Sequence, residues 1–250
     1  MKYLVHQLRS EQRLFWRNRE AAIFVFVFPP MLYLLLGAVY DGDIEGRPAA
    51  DVLLAGLIGY GCANTAFGGL AISQVIRREN GILKRLRGTP LPPWSYLAAV
   101  VGSTLLVFAL QMLVTLGLGV SLYDAQGPAR PIELVAVVLF SGLAFAGIGF
   151  GATALIRSSE GASAVVTLVI LPMAFLSGSF GSTGDYPDVL RWIGGVLPLT
   201  YVIDLLERVY LDDLSMFGDP KALLVVGLWG AAGYLLAWRR FRWTPRERSA

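Results

Sequence analysis

The 250-residue sequence has one cysteine and one histidine, and only 16% of it is charged. The lone Cys62 can close no intrachain disulfide and, lying within an apolar run, is read as packing. The lone His6 has no second imidazole or thiolate nearby, so no metal-ligand set is expected. Lys2, Lys84 and Lys221 are the only lysines and none follows a glycine, so the GxxxxGK[ST] phosphate loop is missing. No secretory signal is expected either. About twenty polar and charged residues precede the first apolar run, and that run is too long for an h-region.

What the chain has in quantity is hydrophobic sequence: 55% of residues and a mean hydropathy of +0.59. Uncharged runs cover Ala21 to Tyr40, Val52 to Ile76, part of Gly88 to Tyr123, Leu134 to Ile156, part of Gly161 to Gly184, and Ala222 to Trp238. Each is near the roughly 17 to 25 residues that a bilayer core requires. The expected architecture is an all-α integral membrane protein of six transmembrane helices, forming one domain over residues 1–250. No room remains for a soluble domain of about 100 residues.

Residues 1–20 place Leu4, Val5, Leu8, Phe15 and Trp16 near one helical face against arginines elsewhere, the pattern of an interfacial helix. In the second run, Gly61, Thr65, Gly69 and Ser73 recur every four positions, a narrow stripe suited to close helix contact. Gly147 and Gly151 form a GxxxG pair in the fourth run with the same implication. Asn64 and Gln74 either line a substrate path or pair between helices, with pairing the more ordinary role. Thr104, Gln111 and Thr115 share one side of the third run, are expected to face protein or water, and join Asn64 and Gln74 as candidate lining of a substrate path. Pro29-Pro30 predicts a kink in the first.

Residues 182–220 are ambiguous. Their longest uncharged run, Trp192 to Ile203, is short, contains Pro198 and is followed by Asp204, Glu207 and Arg208. Each charge at a helix centre costs roughly 2.5 to 3.5 kcal/mol on insertion scales, so the segment is read as an outer re-entrant or interfacial pair of helices. With it outside, 16 of the 21 Lys and Arg residues fall on one side, together with both termini. The positive-inside rule makes that side the cytoplasm, and an even number of spans agrees.

The most basic internal stretch is RRENGILKRLRGTPLPPWSY at 77–96, between the second and third runs. From Arg78 to Arg87 it reads as a short helix with Glu79 in its first turn, Arg85 and Arg87 in its last, and Gly88 then Pro90 stopping it. Its length is about three turns, or roughly 15 Å. Trp94 and Tyr96 mark a return to the membrane interface. A basic loop that only sets topology and touches anionic lipid has the same composition.

The string Arg78, Glu79, Gly81, Leu83, Arg85, Leu86, Thr89, Pro90, Leu91 resembles the loop between the second and third spans of ABC type-2 transporter permeases. FLSGSF at 175–180 and LPLTYVIDLLERVYL at 197–211 are similar to that family's second recurrent region. One departure is Glu207 where a basic residue would come directly after the DLL run, with Arg208 one place later.

The resemblance implies a non-catalytic permease of an exporter for amphipathic drugs or lipids in a bacterial inner membrane, with both termini cytoplasmic. Helix 78–88 would be its coupling helix, docking an ATP-binding cassette subunit through Arg78, Glu79, Asn80, Gly81, Ile82, Leu83, Lys84, Arg85, Leu86 and Arg87. ATP and Mg would be held by two copies of that partner, and a second permease, identical or paralogous, would complete the pathway. No nucleic-acid partner is expected. A membrane-embedded lipid-modifying enzyme and an ATP-independent secondary transporter are the alternatives. The first would need paired carboxylates or a metal cluster, the second ionisable groups at mid-membrane.

Overall fold

The computed structural model describes residues 2–40, 42–44 and 46–244. Met1, Asp41, Glu45 and residues 245–250, which include Arg246 and Arg248 of the basic C-terminal count, lie outside them. Six described helical stretches are long and apolar enough to cross a membrane: Arg19–Val39, Ala49–Glu79, Pro93–Leu122, Pro131–Leu155, Ser159–Leu176 and Pro220–Arg240.

In chain order the elements are α1 (Lys2–Arg17), α2 (Arg19–Val39), a two-residue hairpin of β1 (Asp43–Ile44) and β2 (Arg47–Pro48), and a long second span. That span comprises α3 (Ala49–Cys62), a π-helical segment (Ala63–Gly69) and α4 (Leu70–Glu79). Then come α5 (Ile82–Arg87), α6 (Pro93–Leu122), α7 (Pro131–Leu155), α8 (Ser159–Leu176), α9 (Asp188–Gly194), α10 (Pro198–Tyr210) and α11 (Pro220–Arg240).

Local chemistry sets most of the helix starts. Proline opens α6, α7, α10 and α11, where its missing N–H would have had no partner and its fixed φ suits the first turn. Asn18, Ser158 and Asp219 cap α2, α8 and α11 by accepting from the N–H groups of Ala21, Gly161 and Ala222. Asn18 alone separates α1 from α2. Pro29 and Pro30 are buried within α2, which continues through them as one helix.

The second span is the centre of the bundle. Its most apolar window is 89% buried, against 28% for the first and fifth spans and 22% for the last. Those three therefore leave most of their surface to lipid or to other chains. Asp51, in the acidic loop after the first apolar run, lies in the first turn of α3 and is 2% exposed. There a carboxylate complements the helix dipole, and it accepts from the Gln126 N–H at 3.0 Å and the Tyr210 hydroxyl at 3.4 Å.

α9 and α10 meet at 80°, a bent pair in the segment expected to re-enter. Thr200 Oγ1 donates to the Gly194 carbonyl at 2.7 Å and the Tyr201 hydroxyl to that of Gly195 at 2.7 Å, so α10 itself satisfies the carbonyls freed at the bend. Ile203 of α10 fits over Gly59, where a Cβ would lie 2.7 Å from Ile203 Cγ1. Arg47 clamps the hairpin to this region through Glu207 at 3.0 Å and Asp212 at 2.9 Å. Arg208, next to Glu207, donates to the Ser215 carbonyl instead.

The GxxxG pair of α7 packs on α11. A Cβ on Gly147 would lie 2.6 Å from the Gly230 carbonyl oxygen, and one on Gly151 2.9 Å from that of Gly233. Gly230 and Gly233 are equally crowded, by Ala144 and by the Gly147 backbone. Because backbone meets backbone, a side chain here has nowhere to move. Gly147→Leu is expected to cost about 1 to 3 kcal/mol by overpacking, read as a lowered melting temperature of the purified protein. An unchanged melting temperature would show that α7 and α11 do not approach this closely.

Candidate functional site

The basic stretch does not form the single helix 78–88 that its charges predict. α4 runs through Glu79, and Gly81, at φ +68°, turns the chain by a left-handed step before α5 begins at Ile82. Glycine adopts that conformation without a Cβ penalty, so Gly81 is the break, and Gly88 only terminates α5. α5 has six residues, about 9 Å, in place of three turns. Arg78 and Glu79 consequently sit at a helix C-terminus.

Arg78 is 3% exposed, and its guanidinium donates to the carbonyls of Thr153 at 2.6 Å and Ile156 at 2.9 Å, and to Glu79 Oε1 at 2.8 Å. Those carbonyls belong to the C-terminal end of α7, where a helix leaves acceptors unpaired and favours a cation. Leu83 is fully buried in a small core with Leu70, Tyr96, Val100, Ala146, Phe150 and Ala237. α5 is thereby fastened to the ends of α4, α6, α7 and α11. Ile82, Lys84, Arg85 and Arg87 are exposed on the other side of α5, as is Asn80 just ahead of it, with Glu79, Gly81 and Leu86 partly covered. The ten proposed docking residues thus divide into anchors facing in and a basic surface facing out.

One cluster went unread in the sequence. Arg77 forms a two-pronged pair with Glu11 of α1, Nη2 to Oε2 at 2.7 Å and Nη1 to Oε1 at 2.9 Å. Nη1 also donates to the Tyr96 hydroxyl at 3.1 Å, which in turn donates to Gln74 Oε1 at 2.7 Å. Glu11 is 5% exposed and Tyr96 1%, so both side chains are turned into the protein. α1 lies against α6, with Gln12 Nε2 bonded to Ser103, while Tyr3, Val5, Leu14 and Trp16 remain on its exposed side. The partners are 66 residues apart, and the one sequence hint was a lone acid among the arginines of α1.

Two cavities flank the lower half of the second span. One of about 600 Å³ lies between α1, α2, the second span, α5 and α6, and has Thr65, Gly69, Ser73, Gln74 and Thr104 on its walls, with Ile82 and Leu86 of α5 at one end. The other, about 390 Å³, lies between α2, the second span and α8 and is lined by Asn64, Gly69 and Ser73 among others. The expected contact stripe is therefore split. Gly61 packs directly against the Gln111 side chain, but Thr65, Gly69 and Ser73 border open space. The π-helical segment between Gly61 and Leu70, bonded i to i+5, changes the angular step per residue, so four-residue spacing no longer traces one seam. Of the expected path residues, Gln111 and Thr115 are fully buried, bonded to each other at 2.9 Å, and line neither cavity.

Arg78→Ala would strip donors from two buried carbonyls, and hydrogen bonds to charged groups are worth about 1.5 to 3 kcal/mol each. We expect a lowered melting temperature for Arg78→Ala and for Leu83→Asp, with Lys84→Ala unchanged. Equal melting temperatures for all three would remove the distinction between anchor and surface.

The family model for the ABC-2 type transporter matches residues 4–211. Among curated proteins, the chain is 24% identical over 174 residues to the probable multidrug ABC transporter permease YbhR of Escherichia coli K12, covering 68% of this chain and 47% of that protein. It is 28% identical over 177 residues to the E. coli K12 inner membrane transport permease YhhJ, covering 69% and 46%. Nodulation protein J of Rhizobium leguminosarum bv. viciae is 40% identical over 86 residues, 34% of this chain and 31% of that one. The chain thus spans about half the length of YbhR and YhhJ. With the family model covering most of its length, and five spans around a buried second one, the chain belongs to the ABC-2 type transporter family.

Proposed function

We propose that this membrane transporter component is the permease of an ATP-driven exporter whose ATPase is a separate subunit docking on α5 and the adjoining turn. The observation carrying this reading is the two-sidedness of α5. Its inner face is pinned through Leu83, and the segment ahead of it through Arg78, to the ends of four helices, while Ile82, Lys84, Arg85 and Arg87 stand exposed. A force applied to the exposed side is delivered to the bundle and not dissipated in a loop. Binding can move such an equilibrium only if the docked contacts differ between states.

By the charge asymmetry of its loops, the docking end faces the cytoplasm of a bacterial cell, and both termini lie there. The partner, in two copies, would hold ATP and Mg. A second permease would cover the exposed sides of α2, α8 or α11. The mostly apolar cavities beside the second span suit an amphipathic drug or lipid, and the name of YbhR indicates drugs for that protein.

Lys84→Glu and Arg85→Glu alter the exposed side, touch neither cavity and leave the anchors in place. Co-expressed with its ATPase in membranes, each variant is expected to insert and melt as the parent does. Permease-stimulated ATP hydrolysis should drop about fivefold or more, the equivalent of roughly 1 kcal/mol of lost coupling. Full stimulation in both variants would rule out α5 as the docking element.

A further inference from the structure

The single acid of α1, Glu11, is turned into the protein, where both its oxygens are held by Arg77. What α1 leaves outside is therefore a face of one sign. Arg9, Arg13 and Arg17 recur every four positions, are all exposed, and form a row about 12 Å long on the side opposite Glu11. Like charges four residues apart on a helix repel and weaken it. Among the described residues no ion pair or side-chain hydrogen bond reaches any of the three, whereas Arg47, Arg77, Arg78, Arg130 and Arg191 each have a carboxylate partner. The row calls for anions from outside the chain.

Its neighbours indicate which anions. Val5 and Trp16 are exposed beside the arginines, and Trp16 stacks on Phe26 of α2 with ring centroids 5.3 Å apart and planes 18° from parallel. Only Asn18 separates α1 from that first span, whose Ile23, Phe24 and Val27 are exposed. An indole at the foot of a lipid-facing helix sits at the headgroup level, so the arginines next to it are at the depth of lipid phosphates. Arg19 and Glu20, which follow, cancel in net charge and do not offset the row. An acidic soluble protein would match the charge but leave Val5 and Trp16 without an apolar partner.

From this we infer that the exposed side of α1 is a binding surface for anionic phospholipid headgroups, with Arg9, Arg13 and Arg17 donating to the headgroups and Val5 and Trp16 entering the acyl boundary. The opposite face of the same helix grips Arg77 through Glu11, so lipid held on α1 is coupled to the end of α4. The inference stands apart from the docking role of α5 and needs no ATPase.

The test places the full-length chain in nanodiscs of equal parts phosphatidylglycerol and phosphatidylcholine with matched acyl chains, and native mass spectrometry after detergent release counts the lipids retained. Three variants accompany the wild type: Arg9→Gln/Arg13→Gln/Arg17→Gln, the same three arginines changed to Lys, and Lys84→Gln/Arg85→Gln/Arg87→Gln, which removes as many charges from α5.

The wild type is expected to retain phosphatidylglycerol about fivefold or more over phosphatidylcholine, equivalent to roughly 1 kcal/mol. The glutamine variant of α1 should retain the two lipids equally, while the lysine variant and the α5 variant keep the preference. Raised salt should shrink the wild-type preference. Melting temperature checks that each variant is folded, and Arg13→Gln alone, which opens the middle of the row, is expected to lower the preference about twofold. Equal retention of both lipids by the wild type, or an undiminished preference in the glutamine variant of α1, would overturn the inference. So would a preference lost from the α5 variant alone.

Discussion

A helix enclosed on all sides within a membrane bundle has to satisfy its polar groups from its neighbours, since hydrocarbon offers none. The second span, Ala49–Glu79, is in that position along most of its length. Its two ends are tied by charge to other elements: Asp51 to the 126–210 region at one end, Arg77 and Arg78 to α1 and α7 at the other. Between the ends the helix passes through a π-helical segment beside both cavities. The remaining spans are arranged around this one and leave their outer flanks exposed.

Burial also accounts for the behaviour of the basic stretch. Had Arg78 stayed in a cytoplasmic helix, its charge would have been screened by water and of little structural consequence. Placed at the C-terminus of α7, the same charge closes two orphan carbonyls and fixes where α4 ends. Gly81 then permits the reversal, and Leu83 seats α5 in the small core beneath it. A segment that looks like a loop of charges is a rigid corner with one exposed side.

The close approach of α7 and α11 is the second constraint. Without a hydrophobic driving force between helices in lipid, association depends on fit, and glycine at Gly147, Gly151, Gly230 and Gly233 brings the backbones into contact. Only half of this seam was visible as a motif. Gly147 and Gly151 have the four-residue spacing, whereas Gly230 and Gly233 are three apart and are recognised only when their partners are seen.

Length, composition and order determined a good deal by themselves: six spans, an amphipathic first helix, a pair of short helices within residues 182–220 and the membrane class. These depend on local hydrophobicity and proline placement, which act within a few residues. What tertiary structure decided depended on contacts between distant residues: the pairing of Glu11 with Arg77, the inward turn of Tyr96, the break at Gly81, and the division of the Gly61 to Ser73 stripe between packing and cavity. No periodicity encodes these, because whether a buried charge or amide is an anchor or an open donor depends on which helix comes to lie beside it.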